Sequence, residues 1–225
     1  MKINKLKVFK IVALIISLLF LYLLFKDYQP QIEMLFNPKE RSLAVAQIRD
    51  HGLIDVVIVM ILLYLATIVP GFPVVPLGIV TGICFGPFWG TLINTFSIGL
   101  GNIAAINFIG YLKNDLQKAY KNNRFTAHFK HAKNPLMSLI IGYSIPIIPS
   151  YLVSMEANKD ETKYNKRIIF MTALLGPFPI SLVYALGGNA IFKADWQHLV
   201  ILVIIIAIFL FFANKLLKKM VKDEL

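Results

Sequence analysis

Pro70-Gly71-Phe72-Pro73-Val74-Val75-Pro76, continuing through Gly78, Gly82, Gly86-Pro87 and Gly90, is the stretch whose reading decides the fold. It is apolar enough for the inside of a membrane, yet it holds four prolines and five glycines in twenty-one residues. Hydrocarbon offers no partner to a free N–H or C=O, so broken backbone survives there only where protein or a water-filled cavity surrounds it. The stretch is therefore either a kinked spanning helix or a re-entrant segment lining a path.

The rest of the composition supports a membrane setting. The 225 residues are 57% hydrophobic and only 16% charged, against about 45–50% and about 25% in soluble domains, and the mean hydropathy is +0.69. The charges gather at the ends and in loops. An excess of 23 Lys and Arg over 12 Asp and Glu is read as basic loops held against anionic lipid head groups, and no nucleic acid is expected. Cys84 is the only cysteine; it can form no disulfide within the chain and has no Cys or His at metal spacing. The terminal Lys222-Asp223-Glu224-Leu225 matches a lumenal retention signal, but the basic residues before it assign this end to the cytoplasm, so the match is taken as coincidence. Usage rich in Lys, Ile and Asn suggests a bacterial cytoplasmic membrane.

Four regions follow along the chain. Residues 1–25 carry a basic start and a retained transmembrane helix from about Val8 to Phe25, with no small-x-small cleavage site after it. Residues 26–52 form a surface linker whose helix is expected to start at Asn37-Pro38, with Glu40 at the capping-box position. The core spans residues 53–190. It opens with a short span, Leu53–Val69, followed by a half-helix over 75–85 and a longer span from Pro87 to about Leu112. A basic loop occupies 113–135, whose Leu112, Leu116 and Tyr120 suggest a helix lying in the head-group region. A second interrupted segment covers 136–155, then a polar turn from Glu156 to Arg167, and a span from Ile168 to Leu186 broken at Gly176-Pro177. Residues 191–225 supply a last span and a basic tail.

Phe72-Pro73-Val74-Val75-Pro76 recurs as Ile145-Pro146-Ile147-Ile148-Pro149, and Gly86-Pro87-Phe88 recurs loosely as Gly176-Pro177-Phe178. Paired Gly/Pro-interrupted segments in two halves point to the central site of a transporter. The fold expected is thus an all-α polytopic bundle of about five spans, with two broken, re-entrant segments (about 71–86 and 136–155) in a pseudo-two-fold inverted repeat. Gly78, Gly82, Gly86 and Gly90 recur every four residues, and Asn94, Ser97, Gly101 and Ala105 continue a small face that lets another helix approach. Asn94, Asn102 and Asn107 need partners inside a membrane, and either join helices or face a polar path.

These residues resemble a family. Ile48-Arg49-Asp50-His51-Gly52, a short span, Pro70-Gly71 with Pro73, Gly82, Phe85-Gly86-Pro87, Gly90, Gly99 and Gly101 are similar to the first half of the DedA/VTT-domain (SNARE-associated Golgi protein) family. Pro146, Pro149, Gly176 and Pro179 are similar to its second half, so the resemblance covers roughly residues 45–190. It implies two re-entrant loops facing each other in a small helical bundle, and lipid handling of the phospholipid scramblase or polyprenyl-phosphate carrier type. Many members carry an Arg after the third span and another just before the Pro-x-x-Pro. Those places here hold the run from Asn107 to Leu112 and Tyr143-Ser144, so phosphate recognition by those arginines is not carried over. Members thought to be proton-coupled use membrane carboxylates, for which this chain offers only Asp55 and Glu156.

No catalytic constellation and no metal site is present: there is no His-Glu-x-x-His, Gly-x-Ser-x-Gly or phosphate loop, and His128 and His131 sit among lysines. The chain is read as a non-enzyme without cofactor, a lipid translocator whose partners are membrane lipids, with self-association left open. Pro70, Gly71, Pro73, Pro76, Gly82, Gly86, Pro87, Gly90, Pro146 and Pro149 would shape the path, and Asn94, Asn102, Asn107, Tyr143 and Ser144 would line it. An ion-coupled transporter using Asp55 and Glu156, and a non-transporting scaffold, are the alternatives. One conflict stays open. The N-tail, the 113–135 loop and the C-tail are all basic and should all be cytoplasmic, yet three spans before the loop would put it outside unless residues 71–86 also cross.

Overall fold

The computed structural model describes residues 52–69, 74–120, 134–145, 148, 150–160 and 164–193, together with individual positions within 8–50 and 197–212; at 109–120, 159, 160, 192 and 193 it describes backbone alone. Pro70, Gly71, Pro73, Pro146, Pro149, His128, His131 and the C-terminal tail lie outside the described residues. Among the described residues the elements are all helices: α1 (Leu53–Ile68), α2 (Val74–Tyr120), α3 (Pro135–Ser144), α4 (Ser150–Asp160), α5 (Lys166–Leu175) and α6 (Phe178–Lys193). Two helical runs among the described residues are long and apolar enough to cross a membrane, Val74–Phe108 and Lys166–Ile191.

The first of these runs is not one rod. Gly86 has φ 73 and ψ −176, a conformation essentially reserved for glycine. Pro87 follows it as the first residue of a new helix, where its missing N–H costs nothing. The chain reverses there. Asn94 Nδ2 donates to the Gly78 carbonyl at 3.0 Å, and a Cβ on Gly90 would lie 3.1 Å from the Thr81 carbonyl oxygen and 3.2 Å from Gly82 Cα. Sixteen residues along a straight helix would separate Gly78 and Asn94 by about 24 Å. The arms α2a (74–85) and α2b (87–120) are therefore antiparallel, and α2a is only about 18 Å long.

Contacts fix the direction of every other helix. Val59 and Leu63 of α1 pack with Ile93 and Ile98, while a Cβ on Gly101 would sit 2.9 Å from the Tyr64 carbonyl oxygen and 2.7 Å from Thr67 Cβ. Early α1 meets early α2b and late α1 meets late α2b, so the two run parallel, and α1 with α2a forms a hairpin. Gly82 and Gly188 let α2a and α6 meet backbone to backbone, at Ala185 and Ile79 respectively. With Gly99 against Leu174 and Gly90 against Ala185, α5 and α6 run antiparallel to α2b.

The second hairpin is α3 and α4. Asn134 caps α3 by accepting from Met137 N at 3.2 Å, with Pro135 at the first turn, and the helix ends at Ile145. The Tyr143 hydroxyl lies 3.1 Å from Ser154 Oγ, so α4 folds back along α3. Further along α4, Asn158 Nδ2 donates to the Ile106 carbonyl at 3.0 Å. The two hairpins thus close toward the middle of α2b from opposite ends: Val74 packs with the Ile98 cluster, and Ile145 and Ile148 pack with the Ile106 cluster.

Several expectations change. The glycines at 78, 82, 86 and 90 do not form one face, because the chain turns at Gly86; Gly78 and Gly82 face α6, and Gly90 faces both α2a and Ala185. Gly176 echoes Gly86 in sequence but not in geometry. It has φ −53 and ψ −37, with its N–H bonded to the Thr172 carbonyl, so α5 and α6 form an interrupted helix rather than a reversal. The polar turn expected from Glu156 is helix as far as Asp160, and Glu156 is buried within it. The helix of α2b runs unbroken through residues 113–120, where a separate surface helix was expected. The described residues from Val8 to Met34 are helical, among them Lys26, Gln29, Pro30, Glu33 and Met34 beyond the expected span end at Phe25, and Gln29 Nε2 donates to Glu33 Oε1.

Replacing Gly86 by Ala should destabilise the protein by about 1–3 kcal/mol, because the side chain clashes in this backbone region. Thermal unfolding in detergent, followed by intrinsic fluorescence, reads the effect; an unchanged midpoint would mean that the reversal does not need a glycine.

Candidate functional site

Prolines in a helix leave carbonyls without donors, and the interior of this bundle is organised by the side chains that replace them. Pro177 has no N–H for the carbonyl of Ala173. Asn102 Nδ2, from α2b, donates to that oxygen at 3.3 Å. One turn on, Ser144 at the end of α3 places its Oγ 2.8 Å from the Gly176 carbonyl and 2.8 Å from the Ile140 carbonyl, its one proton shared between them. The close approach requires Gly176, since a Cβ there would stand 2.9 Å from Tyr143 Cβ. Three elements therefore converge on the Gly176-Pro177 break.

Of the polar residues expected to line a path, Asn94 and Asn102 are fully buried and both donate to backbone carbonyls of neighbouring elements. That is the geometry of helix glue. Their Oδ1 atoms are different: both are buried without a hydrogen-bond partner, as are Ser138 Oγ and Ser181 Oγ. Most buried acceptors are satisfied, so these two unmatched amide oxygens on one helix are exceptions in an otherwise bonded interior. Asn107 is exposed and its Nδ2 bonds the Ile103 carbonyl of its own helix. Tyr143 and Ser144 are buried at the α3 end, bonded as described. The threonines and Ser97 contribute nothing to a path, because Thr67, Thr81, Thr91, Thr95 and Ser97 all return their hydroxyl protons to the carbonyl four residues back, a common habit of helical hydroxyls.

The residues expected to shape a path divide. Gly82, Gly86 and Gly90 lie together where α2a, α2b and α6 meet, whereas Pro76 and Pro87 are exposed. Asp55, in the first turn of α1, is half-buried and remote in sequence and position from buried Glu156 of α4. Reading the sequence missed Asn158, which ties α4 to α2b, and Asn134 and Asn165, which cap α3 and α5. The two caps were visible in principle as Asn-Pro and Asn-Lys-Arg just before apolar runs. Among the described residues no three His, Cys, Asp or Glu side chains group to hold a metal.

The exterior is the inverse of this interior. Leu53, Ile54, Phe88, Trp89, Met171 and Phe211 are among many large apolar side chains that stand open at the surface, while amides, hydroxyls and a carboxylate are inside. Phe88 and Trp89, in an edge-to-face pair with centroids 5.3 Å apart, mark the reversal at Gly86. No family model matches the chain, and no curated protein or solved structure matches it.

Asn102→Ala should cost about 0.5–2 kcal/mol, in the range of interhelical polar contacts in membrane proteins, because it strands the Ala173 carbonyl. Asn107→Ala should lie within about 0.5 kcal/mol of the parent. Equal thermal shifts for the two variants would show that the Asn102 bond does not hold α2b to α5.

Proposed function

We propose that this chain is an integral membrane lipid translocator of the phospholipid scramblase or polyprenyl-phosphate carrier type, similar in plan to the DedA/VTT-domain proteins. The observation that carries the reading is the pair of helical hairpins that close toward the middle of α2b from opposite ends. An apolar exterior over a polar interior, and two runs long enough to cross a bilayer, support a membrane setting. In that setting the hairpins are re-entrant, and each brings the N-terminus of a short helix to mid-depth, α2a at Val74 and α4 at Ser150. Helix N-termini carry free N–H groups and about half a positive charge, which suits a phosphate head group in transit. The unmatched Asn94 and Asn102 oxygens would accept from lipid hydroxyls or water along the same route.

The same arrangement removes the conflict over topology. The N-terminal helix crosses once, the α1–α2a hairpin returns to the side it entered from, and α2b crosses back. The 113–135 loop then joins the N-tail in the cytoplasm. The α3–α4 hairpin enters and leaves on that side, α5–α6 crosses outward, and residues 197–212 cross inward to bring the basic tail home. All three basic segments obey the positive-inside rule, with the 26–52 linker outside.

A second reading, coupling to an ion, is favoured by one observation: Glu156 is buried at 6% exposure inside the second hairpin, and ionisable groups at membrane depth are costly and kept for function. Glu156→Gln should abolish any pH dependence of transport if that reading holds, and leave lipid movement intact if it does not.

Purified protein in proteoliposomes should move fluorescent phospholipid between leaflets faster than protein-free vesicles do; equal rates would remove the lipid reading. Single cysteines introduced as Tyr120→Cys, Asp160→Cys and Met220→Cys on a Cys84→Ser background should react with an impermeant thiol reagent only after cells are opened, whereas Asn37→Cys should react in intact cells. Finding positions 37 and 120 on one side would rule out the proposed topology.

A further inference from the structure

A groove of about 490 Å³ runs along the outer side of α5, from Arg167 past Ile168, Met171 and Leu175 to Pro179, with Ile140 of α3 as its other wall. Its volume falls within the range of small-molecule sites, about 300–1,000 Å³. Its chemistry is that of an amphiphile's mould, with one cation at one end and almost wholly apolar walls beyond it. The twelve residue steps from Arg167 to Pro179 span about 18 Å at helical rise, against about 15 Å for half of a bilayer's hydrocarbon. In the proposed membrane setting the groove would reach from the head-group level to the Gly176-Pro177 break where Ser144 docks.

Arg167 is the cation that faces this groove. Its neighbour Lys166 does not line it; the Lys166 ammonium stands 5.0 Å from the centroid of the Phe170 ring. The guanidinium forks toward phosphate oxygens, and its position on the first turn of α5 adds the positive end of the helix. A second groove, about 650 Å³ between α1 and α2b and bordered by Leu53, Met60, Trp89 and Phe96, has no charged side chain on its walls among the described residues. The two grooves are alike in being apolar and differ in the charge at the mouth.

We infer that the α5 groove binds an anionic phospholipid, its phosphate on Arg167 and one acyl chain laid along Ile168, Met171 and Leu175 to the helix break. The inference rests on the membrane lipid reading given above and adds to it a loading site in the cytoplasmic leaflet. A zwitterionic head group is disfavoured, since its own cation would meet Arg167. Among the described residues no carboxylate lines the groove to offset that charge.

The test uses the full chain in phosphatidylcholine vesicles, with Met171→Trp as the sole tryptophan (Trp89→Phe, Trp196→Phe) and brominated lipids as quenchers. Brominated phosphatidylglycerol should quench with an apparent affinity about fivefold above that of brominated phosphatidylcholine, the effect expected of one cation near the surface. Arg167→Gln should abolish the preference, Arg167→Lys should retain most of it, and Lys166→Gln should leave it unchanged. A companion protein with Trp89 as its only tryptophan, reporting on the uncharged groove, should show no preference. The inference is overturned if position 171 shows no preference, if Lys166→Gln loses as much as Arg167→Gln, or if Trp89 reports the same preference, since the last two indicate only a general accumulation of anionic lipid around a basic protein. Leu175→Trp serves as the reporter if Met171→Trp does not fold. Quenching does not depend on lipid movement: preference without scrambling keeps the groove and removes translocation, and scrambling without preference does the reverse.

Discussion

The reversal at Gly86 is the constraint on which the rest of the bundle depends. With φ 73 and ψ −176, this residue turns a run that would extend as one long helix into two antiparallel arms. Gly90 then comes to lie against Gly82, Asn94 reaches back to the Gly78 carbonyl, and α6 can lie along α2a because Gly82 and Gly188 have no side chains to hold the backbones apart. The parallel alignment of α1 with α2b follows from the same turn, because the chain returns along α2a before starting again. Without it, α2b could not begin at the level where α1 begins, and the first hairpin would not exist.

A second constraint acts on the interior. Prolines shape the helices but strip carbonyls of their donors, and in an apolar surrounding each such oxygen must find another. Asn102 answers Pro177 across the gap between α2b and α5, and Ser144 adds a donor to the neighbouring Gly176 carbonyl. These bonds explain why polar residues are inside while leucines, isoleucines and aromatics are outside. In water the pattern would be inverted. Association of helices without a hydrophobic drive between them relies on such close packing and polar contact, and the glycines at 82, 99, 101 and 188 supply the packing.

The proposed function draws on both features. Two hairpins close toward the middle of one helix, and on the proposed reading each carries a helix N-terminus to mid-depth; buried amide oxygens lie along that helix. The proposed likeness to DedA/VTT-domain proteins does not extend to the arginines that many of them carry near such segments. In this chain a guanidinium stands instead at the start of α5, at the mouth of an apolar groove. On that reading phosphate is met first at the membrane surface and only afterwards by backbone dipoles at mid-depth.

The sequence by itself determined where helices break and what kind of surface they present. Gly86-Pro87 reads as an end and a start because only glycine enters that backbone region and only proline is preformed for a first turn. The long apolar runs with clustered charges read as membrane helices because desolvated charge is costly. These are local rules, decided by each residue and its near neighbours. Tertiary structure alone decided that the four-residue glycine spacing folds onto itself, that Gly176 bends where Gly86 reverses, that Glu156 is buried, and that Asn94 and Asn102 spend their N–H groups on helix carbonyls. A helix that is apolar on all sides does not say which face meets a neighbour. Those outcomes depend on which backbones approach closely enough to touch, and that is a property of the assembled bundle.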